Sequence, residues 1–206
     1  WENHRALFEG AGFIVNNYAY FDPATRGLDF TAMQADLQRI PVGSIVVLHA
    51  CCHNPTGVDL SAAQWRQLMP VLQSRQLLPF LDLAYQGFGD GIDEDADAVR
   101  LLAGSGITFI VGNSFSKSMS IYGERAGAVS VVCADAAEAE LVLGQMKACV
   151  RRIYSSPSIH AAGIVTHLLT DPTLRASWET DVAAMRVRIK AMRERLHGVL
   201  RTRLPD

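Results

Sequence analysis

Four short apolar runs, separated by segments of helical periodicity, constrain this chain more than any other feature. Residues 44–50, 78–83, 108–112 and 128–133 read as strands, and the first lacks strict alternation, as a strand buried on both faces would. Between them, Asp29 can cap a helix running to Arg39 with Phe30, Met33, Leu37 and Ile40 on one face. Ser61 and Gln64 form a capping box ahead of Trp65, Leu68 and Leu72, and a further helix is expected from Ala96 to Ala103. Strands alternating with helices predict an α/β fold of three layers, a mostly parallel sheet flanked by helices, with ligand groups at the strand ends. One more strand is expected at Phe13-Ile14-Val15.

The last third is helical. A segment rich in alanine and leucine begins at Asp135 or Ala136 and reaches at least Cys149; Tyr154-Ser155-Ser156-Pro157 interrupts it, and a helix follows over roughly 158–169. Asp171-Pro172 is a strong helix start, and Leu174, Trp178, Val182, Met185, Ile189, Met192, Leu196 and Val199 then form one stripe. Nearly thirty residues of helix would be about 45 Å long. Such a stripe marks a helix packed between domains, so 1–170 reads as part of a large domain and 171–206 as a long interdomain helix leading toward a missing small domain. The chain starts at Trp1 without an initiator methionine and stops at Asp206 after that helix. It reads as a fragment lacking N-terminal and C-terminal parts.

Composition narrows the function. Nineteen basic residues against 21 acidic ones leave a formal charge of −2, which provides no global field for nucleic acid or an anionic membrane. There is no signal-like opening and no run of eighteen apolar residues, so a cytoplasmic protein is expected. Cysteines at 51, 52, 133 and 149 form no disulfide scaffold and fit a reducing compartment. His49, Cys51, Cys52 and His53 invite a zinc reading. It fails because neighbouring strand residues face opposite sides and the Cys-x-x-Cys spacing is missing, so no metal is expected. The acidic group Asp90, Asp93, Glu94, Asp95 and Asp97 lacks the glycine and closing glutamate of a calcium loop and reads as a solvated loop face.

The residues with chemical potential lie after the strands. Lys117 stands among Ser114, Ser116 and Ser118, with Arg125 eight positions later. A lysine there can form a Schiff base with a carbonyl cofactor while a hydroxyl and a guanidinium hold its phosphate, which points to pyridoxal phosphate. Asp82, at the exit of a strand, suits the pyridine nitrogen, and Tyr85 can donate its phenol to the ring oxygen. Asn54-Pro55-Thr56-Gly57 forms a turn that can hold the Asn54 amide toward the same crevice.

The stretches HACCHNPTG at 49–57, DLAYQGFGDG at 82–91, NSFSKSMSIYGERAG at 113–127 and RRIYSSPS at 151–158 resemble the fold-type I, class I pyridoxal phosphate aminotransferases, the aspartate and aromatic amino acid group. The resemblance covers essentially the whole chain, and its wording is nearest the bacterial aromatic type. It implies a pyridoxal 5'-phosphate enzyme that moves an amino group from an aromatic or acidic L-amino acid to 2-oxoglutarate in ping-pong fashion. Lys117 would be the catalytic lysine. Trp1 would stack on the cofactor and contact substrate, Asn54 and Tyr85 would reach its ring oxygen, Asp82 backed by His4 would pair with the pyridine nitrogen, and Ser114 and Arg125 would hold the phosphate. Arg151 would bind a substrate carboxylate across a homodimer interface, and Ser155 would join the partner's phosphate environment. An aspartate-restricted aminotransferase and a non-catalytic aminotransferase-like scaffold are the alternatives. The family's earlier phosphate-binding segment and its later α-carboxylate arginine fall outside these residues, so residues 1–206 alone are expected to bind cofactor weakly and turn over negligibly.

Overall fold

The computed structural model describes residues 1–204; Pro205 and Asp206, the end of the expected interdomain segment, lie outside the described residues. In chain order the elements are helix α1 (Glu2–Gly10), the short strands β1 (Phe21–Asp22) and β2 (Gly27–Leu28), α2 (Phe30–Arg39), β3 (Ile45–His49), α3 (Ala62–Ser74), β4 (Leu78–Leu83), α4 (Asp97–Ala103), β5 (Phe109–Ser114), β6 (Gly127–Val132), α5 (Ala136–Ile153), α6 (Ile159–Thr170) and α7 (Pro172–Arg203). Single 3₁₀ turns occupy Glu94–Ala96 and Tyr122–Glu124.

The main sheet runs β3-β4-β5-β6, with the first three strands parallel and β6 antiparallel to β5. It is therefore an α/β fold on a mixed sheet. β1 and β2 form a separate antiparallel pair. Strand parity sorts the side chains. Leu48, Leu81, Leu83, Phe109 and Val111 are buried in one core with Met33 and Leu37 of α2, Leu68 and Leu72 of α3 and Leu102 of α4. Each buried leucine contributes about 2 kcal/mol, and Leu81→Ala would cost about 2–5 kcal/mol because the site is closed on all sides. Alternate residues fall on the opposite face. Register aligns His49, Asp82 and Gly112 side by side across three strands, which puts the polar pair on the face away from the leucine core.

Local signals explain most helix starts. The Asp29 side chain accepts from Ala32 N, and Ser61 and Gln64 make the reciprocal capping box. Asp171 accepts from Thr173 N and Leu174 N while Pro172 opens α7, which extends over 32 residues. Along α7 the stripe is buried at Val182 but exposed at Met192, Leu196 and Val199.

Three expectations are corrected. Residues 13–15 form no strand: no partner strand lies beside them among the described residues, Phe13 meets Phe8 edge-on at 5.8 Å, and Val15 O accepts from Arg5. The acidic group is not wholly solvated, since Asp95 is buried and accepts from the amides of Gly87, Gly89 and Asp90 at 2.8, 2.9 and 2.8 Å. Cys51 and Cys52 lie beyond the end of β3, where a positive φ at Cys52 breaks strand alternation and lets both thiols approach.

Candidate functional site

The site is assembled where β3, β4 and β5 end. On α1, His4 and Phe8 are four residues apart and so share one face. Across from them Asp82 and Phe80, two apart on β4, share one face of the strand. The two spacings match. His4 Nε2 donates to Asp82 Oδ2 at 2.8 Å, and Phe8 packs edge-on against Phe80 at 5.9 Å. Burial alone would push the Asp82 carboxyl up, but the His4 hydrogen bond and the positive potential of His49, His4 and Lys117 outweigh it, so its pKa falls below the ordinary value. Asp82 is held as an anion.

The turn after β3 is fixed by Asp59, whose carboxylate accepts from Cys52 N and His53 N at 2.7 Å each. The His53 ring stacks on Tyr20 at 4.0 Å, and its Nδ1 is hydrogen-bonded to Thr56 Oγ1 at 2.8 Å. The Asn54–Pro55 bond is cis and Gly57 has φ +66°, a left-handed value that glycine adopts without strain. The backbone nitrogen of Trp1 donates to Asn54 O at 3.2 Å, which brings the start of α1 to this turn.

Lys117 sits in the turn that follows β5. Phe115 N bonds to Ala126 O, and Ser120 N bonds to Lys117 O at 3.1 Å, so both arms of the turn are held. Ser116 and Ser118 are buried, and Ser114 Oγ accepts from Ser116 N at 3.3 Å, leaving the Ser114 hydroxyl proton free to donate. Lys117 Nζ lies 4.8 Å from the Tyr85 ring centre and 5.5 Å from that of Tyr122. Among the described residues it makes neither an ion pair nor a hydrogen bond. Arg125, at φ 55°, donates from Nη1 to Tyr122 O at 3.1 Å, and its guanidinium centre lies 5.5 Å from the Tyr122 ring. No carboxylate pairs with it among the described residues. An amine and a guanidinium thus lie near one aromatic ring, with the ionised Asp82 carboxylate within electrostatic reach of the amine.

Of the residues expected from sequence, the structure links Trp1 to Asn54, His4 to Asp82, Asp82 electrostatically to Lys117, and Lys117 to Tyr85. Arg151 and Ser155 stand apart at the end of α5, joined to each other by Arg151 Nη1 donating to Ser155 Oγ at 2.5 Å. Sequence reading gave no role to His49 or Tyr122. His49 stands beside Asp82 in register, with its Nδ1 buried and unpartnered, and its pKa is lowered to about 4, chiefly by burial and then by His53. Strand parity was the signal that could have found it. A cavity of about 820 Å³ lined by Trp1, His4, Phe8, Tyr18, His49 and His53 opens on the α1 side, whereas Lys117 and Arg125 lie outside it.

Two groups bring possible metal-ligand atoms within 4.8 Å of one another: His4, His49 and Asp82, and Cys51, Cys52 and Asp95. In the first, His4 and Asp82 already satisfy each other. In the second, the Asp95 oxygens accept three backbone amides, and a hydrogen bond between the thiols raises the Cys51 pKa and lowers that of Cys52. The second set needs no cation to satisfy its polar atoms, and in the first only His49 Nδ1 is left without a partner among the described residues.

Comparison with known proteins identifies the family. The chain is 54% identical over its full length to a tyrosine aminotransferase of Klebsiella pneumoniae, covering 52% of that protein. It is 55% identical over 94% of its length to an aspartate aminotransferase of Pseudomonas aeruginosa, covering 48%. A solved aromatic-amino-acid aminotransferase of Burkholderia pseudomallei, covalently bound to pyridoxal phosphate, superposes with a TM-score of 0.93 at 54% identity, over 94% of this chain and 49% of that one. The chain spans about half the length of the curated relatives it matches. The profile of aminotransferase class I and II matches residues 1–205, and the chain belongs to that family.

Proposed function

We propose that the full chain carrying these residues is a pyridoxal 5'-phosphate aminotransferase that moves an amino group reversibly between aromatic or acidic L-amino acids and 2-oxoglutarate in ping-pong fashion. The observation that carries the reading is the Lys117 ammonium, free of partners, set between the Tyr85 and Tyr122 rings and within electrostatic reach of an Asp82 held ionised by His4. The donor set fits the cofactor: an amine for its aldehyde, a carboxylate for its ring nitrogen, a phenol and an amide for its ring oxygen, and a hydroxyl with an unpaired guanidinium for its phosphate. When bound, pyridoxal phosphate supplies an electron sink that lowers the barrier to breaking a bond at the substrate α-carbon.

The protein's part is positional and electrostatic. Lys117 would hold the cofactor through its amine and would be the base that moves a proton at the substrate α-carbon. Asp82 keeps a proton at the ring nitrogen, and His4 keeps Asp82 ionised and oriented. Asn54 and Tyr85 would hold the ring oxygen, Trp1 would cover the ring, and Ser114 and Arg125 would hold the phosphate. Arg151 and Ser155, which are hydrogen-bonded to each other at the end of α5, serve a second copy in a homodimer, where Arg151 pairs with a dicarboxylic substrate and swings aside for an aromatic one. On this reading residues 1–170 belong to a three-layer large domain, 171–206 lead to a small domain, and the protein works in the cytoplasm.

Similarity to both tyrosine and aspartate aminotransferases leaves an aspartate-restricted enzyme as the second reading. Incubating the full chain and cofactor with 2-oxoglutarate and tyrosine, phenylalanine or aspartate separates them. Glutamate formed from aromatic and acidic donors supports the proposal; glutamate from aspartate alone favours the second reading, and none from any donor refutes both.

A further inference from the structure

Helix α7 touches the two loops that carry Lys117 and Tyr85, and it does so with residues spaced four apart. Trp178 Nε1 donates to Ser118 O, the carbonyl next to Lys117, at 2.6 Å. Val182 is fully buried, and a Cβ added to Gly87 would stand 2.5 Å from its Cγ1. Arg186 Nη1 donates to Gly87 O at 2.9 Å, and Lys190 Nζ pairs with Asp90 at 3.0 Å. Gly87 is two residues past Tyr85, and its N–H is held from the other side by buried Asp95 at 2.8 Å. One ridge of a single helix therefore grips one loop at Ser118 and the other at Gly87.

Residues at this spacing line up along a helix, and Trp178 and Arg186 stand about 12 Å apart along its axis. Helical hydrogen bonding makes that interval stiff, and the backbone bonds of the loops, such as Ser120 N to Lys117 O and Phe88 N to Tyr85 O, hold each loop internally without linking one to the other. We propose that Trp178, Val182 and Arg186 are positioning residues: α7 acts as a splint that sets the separation between the Lys117 and Tyr85 loops, and so holds the amine 4.8 Å from the phenol ring. The functional weight of that distance rests on the aminotransferase reading above. The mechanical link does not.

The test uses the full chain in two assays. In the cofactor-free protein, amide hydrogen exchange is compared for Arg186→Met, Arg186→Lys and Trp178→Phe. Loosening one end of a splint should loosen both loops, so Arg186→Met should speed exchange about three- to tenfold, the order of one lost hydrogen bond, at 116–119 as well as at 87–90. Arg186→Lys, which keeps a donor, should restore much of the protection. Exchange that rises only at 87–90 in Arg186→Met, and only at 116–119 in Trp178→Phe, overturns the proposal.

With cofactor, Arg186→Met should lower kcat about three- to tenfold with KM little changed, as expected when a group is misplaced for the transition state. Tyr85→Phe should then cost less in the Arg186→Met background than in the parent. Fully additive losses overturn the splint. Failure of the functional reading looks different: Tyr85→Phe changes no kinetic constant while the exchange coupling persists.

Discussion

His49 should make the fold less stable as the pH falls from neutrality toward 4, and His49→Gln should remove that part of the loss. The ring lies beside Asp82, its Nδ1 is buried without a partner, and the His4 and His53 rings stand 5.4 and 4.6 Å away. Burial is the main cause of its lowered pKa; His53 and His4 add to it and Asp82 opposes, leaving a value of about 4 against an ordinary 6.5. Between those values the unfolded chain binds more protons than the folded one, so stability rises with pH across the window. Above 6.5 the neutral ring carries no penalty, and below about 4 the whole penalty is present. At pH 5 the loss would reach about 2 kcal/mol unscreened, and about 1 kcal/mol once solvent reaching the part-exposed ring is counted. Asp82 does not confuse the measurement. Its pKa is depressed, so its contribution is complete above the ordinary carboxylate value and fades only as pH falls below it. Urea denaturation of the cofactor-free full chain at pH 7.5 and pH 5 reads the effect. The stability difference between the two pH values should be about 1 kcal/mol smaller in His49→Gln than in the parent. An equal or larger difference in the variant would refute the account of this histidine.

Gly87→Ala should destabilise the protein by about 2–3 kcal/mol, because φ is +95° and the new methyl meets Val182; pairing it with Val182→Ala should recover part of the loss in thermal melts. Asp95→Asn should cost about 2–4 kcal/mol in urea denaturation, since an amide group would turn a donor toward backbone N–H groups that now meet carboxylate oxygens. If Arg151 binds dicarboxylates, Arg151→Met should lower kcat/KM for aspartate by about 30-fold or more and leave phenylalanine within about threefold. A uniform loss for both donors would argue against that role.

The parts legible in the sequence are those whose causes are local. Asp29, Ser61 with Gln64, and Asp171-Pro172 announce α2, α3 and α7 in turn, because a cap needs only the next three residues. The strands β3 to β6 appear as apolar runs. Helix α1 was missed because Trp1 offers no side-chain cap and none of its residues is buried; what places it is His4 and Phe8 meeting a strand more than seventy positions away. Asp95 was misread for a related reason, since its three amide donors depend on how the loop folds. Lys117, Asp82 and Arg125 stand out as residue types at strand ends, while the His4–Asp82 pair rests on resemblance, because only the packing of α1 against β4 brings the two side chains to 2.8 Å. The α7 residues that contact the Lys117 and Tyr85 loops carry no sequence signal beyond a spacing of four, which any amphipathic helix shows.

On the proposed function, Lys117 is the amine that binds the cofactor. The sequence contains three lysines, and the other two are Lys147, on α5, and Lys190, paired with Asp90. Borohydride reduction of the full chain loaded with pyridoxal phosphate, followed by peptide mapping, should place a single phosphopyridoxyl label on Lys117. A label on Lys147 or Lys190 instead, or no label under conditions where the cofactor absorbs at the protein, would contradict the account.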